Sequence, residues 1–100
     1  MTLKYTLIAL APLALALAGP AAATGKMTCK VAASDVKPQA ELVTALTKQG
    51  WTVTKAKPDG GCYEVYGTTP EGDRVEAYFD PVTFEKLYVS QRGKVLFQKQ

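Results

Sequence analysis

Histidine is absent from the 100-residue chain. That removes the side chain most often used as a general base and the commonest nitrogen ligand of zinc. Cysteine is limited to Cys29 and Cys62, so a zinc site would lack most of its usual donors. Asp59, Glu71 and Asp73 do not follow the spacing of an EF-hand loop, and turn formation explains them. The paired glycines sit in turn contexts and match no phosphate-binding pattern. Ser34 and Ser90 have no recognisable catalytic partner. Basic residues are scattered rather than gathered into a stripe, which excludes a nucleic-acid footprint. Neither repeats of solenoid length nor low-complexity tracts follow the first segment. The residues therefore predict no metal, no cofactor and no nucleic-acid partner.

What is present begins with an export signal. Lys4 supplies a positive start, and Leu7 to Ala18 forms an apolar run short for a bilayer span. Gly19-Pro20 breaks it, and Ala21-Ala22-Ala23 provides the small residues a signal peptidase reads. Residues 1–23 are read as a signal peptide and 24–100 as a single exported domain, periplasmic or secreted. A transmembrane anchor is the competing reading. No cysteine follows the apolar run, so a lipid-anchored start is not supported, and no stable membrane anchor is expected after cleavage. The remaining 77 residues carry eleven basic and nine acidic side chains, net +2. A domain this small buries a marginal core. In an oxidising compartment, Cys29 and Cys62 are expected to form a disulfide, with free thiols or a metal pair as the alternatives. Closing that 34-residue loop is worth about 3 to 4 kcal/mol on the chain-entropy model.

The hydrophobic pattern predicts an α+β fold: one N-terminal helix packed on an antiparallel β-meander of four to five strands. Pro38 suits an early helical position. Gln39, Leu42, Val43, Leu46 and Gln49 recur at helical spacing, and Gly50 supplies a left-handed stop. Ser34 or Asp35 is expected to contribute to the cap. Strands are predicted at Trp51 to Lys57, Cys62 to Thr68, Arg74 to Phe79, Glu85 to Ser90 and Lys94 to Gln98. Loops of three, three, five and three residues place Val53 beside Val65, Val65 beside Ala77, Leu87 beside Ala77, and Val95 beside Val89. The expected core is Trp51, Val53, Tyr63, Val65, Val75, Ala77, Phe79, Leu87, Val89, Val95 and Phe97 beneath Leu42, Val43 and Leu46. Lys55 is the one charged residue that this register turns toward the core.

On the other face the same register builds a checkerboard of carboxylates and phenols. Tyr66, Glu76 and Tyr88 form one row, and Glu64, Tyr78 and Lys86 another, with Arg74 at one end. A paired-carboxylate enzyme needs one carboxyl raised in pKa and a concave site. Here Lys86 and Arg74 are expected to favour the ionised forms on a flat surface. The chain is therefore read as a non-enzyme, and Glu64, Tyr66, Arg74, Glu76, Tyr78, Lys86 and Tyr88 as a candidate binding face. Exposed aromatics interleaved with charge make good recognition surfaces; cross-strand shielding of the sheet is the plainer explanation. Strand parity also puts Cys62 on this face, so the arm carrying Cys29 is expected to cross one end of it unless a bulge at Gly60-Gly61 turns Cys62 elsewhere.

The stretch GWTVTKAKPDGGCYEVYGTTPEGDRVEAYFDPVTFE resembles the PepSY family of small extracytoplasmic domains over about residues 36 to 90. The carrying features are Gly50-Trp51, Gly61-Cys62-Tyr63-Glu64-Val65, Glu71-Gly72, and Val75-Glu76-Ala77-Tyr78-Phe79-Asp80-Pro81 followed by Thr83. One departure stands out. The family usually continues with glycine and an acidic residue, whereas this chain has Phe84 before Glu85. Either a bulky residue occupies a strained turn position or the loop is rearranged. The resemblance implies a protein or peptide partner, with a protease foremost, and a role in restraining or regulating peptidases of the cell envelope. It supplies no catalytic residues. A small-ligand or ion sensor is the alternative from another class.

Overall fold

The computed structural model describes residues 26–100; the expected signal peptide and its cleavage site lie outside the described residues. The architecture is α+β. A 3-10 turn at Ala33–Asp35 and helix α1 at Gln39–Lys48 precede strands β1 (Thr52–Asp59), β2 (Cys62–Thr68), β3 (Arg74–Phe79), β4 (Lys86–Gln91) and β5 (Lys94–Gln98). The strands form one antiparallel meander in the order β1-β2-β3-β4-β5. Among the described residues, no helix is long and apolar enough to cross a membrane.

Local chemistry accounts for the helix boundaries. Ser34 and Asp35 belong to the 3-10 turn, and Pro38 itself occupies the N-cap without a side-chain hydrogen bond. At the other end, Gly50 has φ 101°, and the Trp51 amide reaches back to the Leu46 carbonyl at 3.0 Å. That six-to-one bond with glycine in the left-handed region is a Schellman ending. It delivers Trp51 directly beneath the helix. Leu42 and Leu46 then bury against Trp51, Tyr63, Val65, Val75, Ala77, Phe79 and Val89, with Val53, Ala56 and Phe84 packed at the margin. Val43, expected in the core, is only half-buried.

The β2–β3 register matches expectation: Tyr63 pairs with Phe79, Val65 with Ala77 and Gly67 with Val75. Three other pairings depart from it. The first turn is the two residues Gly60-Gly61 between paired Asp59 and Cys62, rather than a three-residue loop from Pro58. With a bulge between Val53 and Lys55, this puts Val53 beside Gly67 and Ala56, not Val53, beside Val65. The extra residue flips the strand's later parity, so Lys55 joins the tyrosine side, with its Nζ 5.6 Å from the Tyr66 ring centroid. That removes the anomaly of a lysine aimed at the core. In β3–β4, Ala77 faces Val89 rather than Leu87, with a further bulge at Tyr78/Phe79. Leu87 joins a second cluster with Cys62, Tyr78 and Tyr88.

At the last hairpin the turn is two residues long, Arg92 and Gly93, between paired Gln91 and Lys94. Both turn residues have positive φ, 51° and 82°, the requirement of a type I′ turn. The shorter turn and a bulge at Leu96 place Val95 beside Ser90 and Phe97 beside Val89. Val95 and Phe97, expected in the core, are 46% and 39% exposed. One helix about 10 Å across cannot cover a five-stranded sheet roughly 19 Å wide.

The residues ahead of the helix wrap one end of the sheet. Cys29 is disulfide-bonded to Cys62, and its amide donates to the Gly60 carbonyl at 2.8 Å. Further on, the Lys37 amide donates to the Pro81 carbonyl at 3.0 Å, and the Tyr63 hydroxyl donates to the Lys37 carbonyl at 2.7 Å. The chain thus passes from the second cluster to the helix side around the β1–β2 and β3–β4 turns. Gly60 and Gly61 permit the crossing: a Cβ on either would strike the carbonyl oxygen of Met27 or Cys29.

Candidate functional site

The expected solvent-facing checkerboard is corrected at its centre. Glu64 and Tyr78 are fully buried, and Tyr88 is 8% exposed. Across the sheet the row runs Lys57, Glu64, Tyr78, Tyr88, Gln98, rather than through Lys86. The Tyr78 and Tyr88 rings meet edge to face at 5.9 Å between centroids. With Cys62 and Leu87 they form a second small core, against which Met27 and Cys29 of the arm pack. Such T-shaped pairs contribute about 0.5–1.5 kcal/mol beyond their area. These aromatics hold the sheet and its arm together. Of the seven residues of the candidate face, only Arg74 and Lys86 are exposed; Tyr66 and Glu76 are half-buried.

Asp59, expected as a turn residue, is buried as well, and accepts a 2.8 Å hydrogen bond from the Tyr78 hydroxyl on Oδ2. Nothing in the local pattern distinguishes it from any acid beside a Gly-Gly turn. Glu64 is less well provided for. Neither carboxylate oxygen has a hydrogen-bond partner among the described residues, and Lys57 Nζ stands 3.8 Å from Oε1. Burial pushes the Glu64 carboxyl above its ordinary range, with the charge on Asp59 adding to the rise. The nearby Tyr66 phenol opposes it most, followed by the Lys57 ammonium and the Tyr78 phenol. The Tyr66 hydroxyl is in turn pushed up to about 12, first by burial, then by the adjoining Glu64 and the charges of Glu76 and Asp59. The expectation that Lys86 and Arg74 would keep Glu64 ionised is therefore replaced by desolvation.

A raised carboxyl is one ingredient of a general acid, but a substrate must reach it. Three clefts of the described residues lie elsewhere. One of about 470 Å³ runs along the outer side of α1 between Ala40, Thr44, Lys48 and Phe84. A second of about 210 Å³ opens between helix and sheet beside Leu46, Trp51, Phe79, Phe84 and Lys86. The third, of about 350 Å³, is lined by Gly72, Arg74, Gln91 and Arg92 at the tips of two hairpins. None includes Glu64 or Glu76, and among the described residues no group of acidic or sulfur ligands is placed to hold a metal ion.

The β3–β4 loop reveals what Phe84 does in the position where glycine was expected. Its φ is 66°. The Asp80 carboxylate accepts from the amides of Val82 and Thr83 at 2.8 and 3.1 Å, and the Phe84 amide donates to the Asp80 carbonyl at 2.8 Å. The ring packs against the main core with Lys37 Nζ 5.2 Å from its centroid, offsetting the left-handed strain.

The two sheet edges differ. Along β1 the Val53/Lys55 bulge, Pro58 inside the strand, and a 2.9 Å bond from Gln39 Nε2 to the Ala56 carbonyl all obstruct pairing. Along β5 every residue is exposed, including Val95, Leu96 and Phe97 in succession. The alternation of side chains in the sequence places two of those three, Val95 and Phe97, in the core.

Comparison with known families returns one match. The family model for the peptidase propeptide and YPEB domain, PepSY_2, covers residues 7–88. Neither a curated protein nor a solved structure matches the chain.

Proposed function

The chain belongs to the PepSY family of peptidase propeptide and YPEB domains, and from that premise we propose that it is a non-enzymatic module that binds and restrains a peptidase of the cell envelope. The carrying observation is the exposed β5 edge, a strand bearing three apolar side chains. An exposed edge is a template for strand addition by a partner chain. The Cys29–Cys62 disulfide fits an oxidising compartment, which supports export to the periplasm or beyond. Glu64, the side chain whose chemistry invites a catalytic reading, is sealed away from the clefts described above. The test adds disulfide-intact protein in rising amounts to thermolysin-like metallopeptidases from the same envelope and follows hydrolysis of a fluorogenic casein. Saturable slowing is expected; unchanged rates with each peptidase would sink the reading.

A second reading, small-ligand sensing, draws on the cleft of about 210 Å³ between α1 and the sheet. A thermal-shift screen with metals, haem and envelope metabolites decides it, since a ligand present at a hundredfold its Kd adds about 2.7 kcal/mol of stability.

A further inference from the structure

The charge of the chain is unevenly placed. Residues 86–100 contain Lys86, Arg92, Lys94 and Lys99 and no acidic side chain, whereas residues 24–85 carry seven basic against nine acidic groups. The meander folds that basic tail into β4 and β5 at one side of the sheet. Lys99 is paired with Glu85 at 2.8 Å. Lys86, Arg92 and Lys94 have no carboxylate partner among the described residues, and Lys86 Nζ lies 4.6 Å over the Phe97 ring. Cations therefore surround three exposed apolar residues on an unpaired edge.

We infer that the outer edge of β5 takes an extended peptide strand whose apolar centre is flanked by acidic residues. This rests on the binding-module reading and adds the chemistry of the partner. An incoming strand would find backbone donors and acceptors along Lys94–Gln98, apolar contact with Val95, Leu96 and Phe97, and opposite charge at both ends. A second copy of the chain fits poorly, because self-pairing brings together two hairpins that each hold three cations, Lys86, Arg92 and Lys94, and no carboxylate. The bulge at Leu96 interrupts the regular ladder, so backbone bonds are few and charge carries much of the affinity. Binding is accordingly salt-sensitive. The same basic residues and bulge deter indiscriminate edge pairing.

The experiment uses a fluorescein-labelled synthetic peptide, Asp-Glu-Val-Ile-Val-Glu-Asp, and a control with the same centre and lysine flanks. Both are titrated into the disulfide-intact protein by anisotropy and by amide-resolved NMR. The expected result is saturable binding of the acidic peptide with shifts centred on residues 94–98, weakened roughly tenfold by half-molar salt. An Arg92→Glu/Lys94→Glu variant, altered only at exposed positions, is expected to lose at least tenfold in affinity with an unchanged melting temperature. Equal binding of the lysine-flanked peptide, shifts centred away from β5, no binding, or sedimentation as a β5-mediated dimer would each overturn the proposal. The titration contains no peptidase, so its failure is separable from failure of the inhibition assay.

Discussion

Lys57 Nζ and Glu64 Oε1 stand 3.8 Å apart across β1 and β2, with the carboxylate fully buried and the ammonium partly in solvent. The separation is too long for a hydrogen bond, so the pair supplies Coulombic attraction without satisfying the carboxylate. The result is a buried acid that is more comfortable neutral than charged.

A pH dependence follows. The folded Glu64 holds its proton to a higher pH than the unfolded residue, whose ordinary value is near 4.5. Its stabilising contribution is complete below that value and is lost as pH rises through the raised folded value, because the folded state then must hold a charge in a dry site. Glu64→Gln removes that charge. The variant is expected to match wild type near pH 4 and to melt several degrees higher at pH 8, about 1 kcal/mol for a domain of this size. Melting curves across pH 4–8 check it; a wild type that gains stability from pH 5 to 8 relative to the variant would contradict the assignment.

Tyr66 reports on the same cluster. Its hydroxyl is expected to ionise near 12, later than an ordinary phenol, in an ultraviolet titration followed near 295 nm. In Glu64→Gln the transition should move down toward 10, since a neighbouring negative charge has gone. An unmoved transition would mean that burial alone holds Tyr66.

The crossing of the arm over the β1–β2 turn is testable with two alanines. Gly61 has φ 87° and its Cβ would strike the Cys29 carbonyl, whereas Gly72 has φ 99° and open space around it. Gly72→Ala is expected to cost about 1 kcal/mol from backbone strain alone. Gly61→Ala should cost at least twice that and expose the disulfide to reductant, as measured by urea unfolding and by thiol release in dithiothreitol. Equal losses would show that the arm moves aside freely.

Phe84 separates strain from packing. Phe84→Ala keeps the left-handed strain and loses the half-buried ring, so a loss of about 1–2 kcal/mol is expected. Phe84→Gly loses the same ring but relieves φ 66°, and should be about 1 kcal/mol more stable than the alanine variant. If alanine proved the better replacement, the loop would not be strained.

Much of this molecule was legible in one dimension. Alternating side chains in Cys62–Thr68 and Arg74–Phe79, with proline and glycine between, determine both strands and their register, because a three-residue turn and a period of two are local properties. Gly50 ended the helix as expected for the same reason. Bulges are different: the extra residues near Thr54, at Leu87 and at Leu96 reflect how neighbouring strands twist and pack, and they redirected Lys55, Leu87 and Phe97. The buried Glu64 was hidden for a related reason. Its strand shows a polar residue where a wet face is anticipated, and only the folded chain, with Lys57 and two tyrosines drawn around it and a disulfide-tied arm laid across the neighbouring aromatics, turns that face inward. Local pattern, in short-range steric terms, settled which residues are strand and turn. Which side of the sheet stays dry depended on contacts between residues more than thirty positions apart, and no alternation of side chains encodes those.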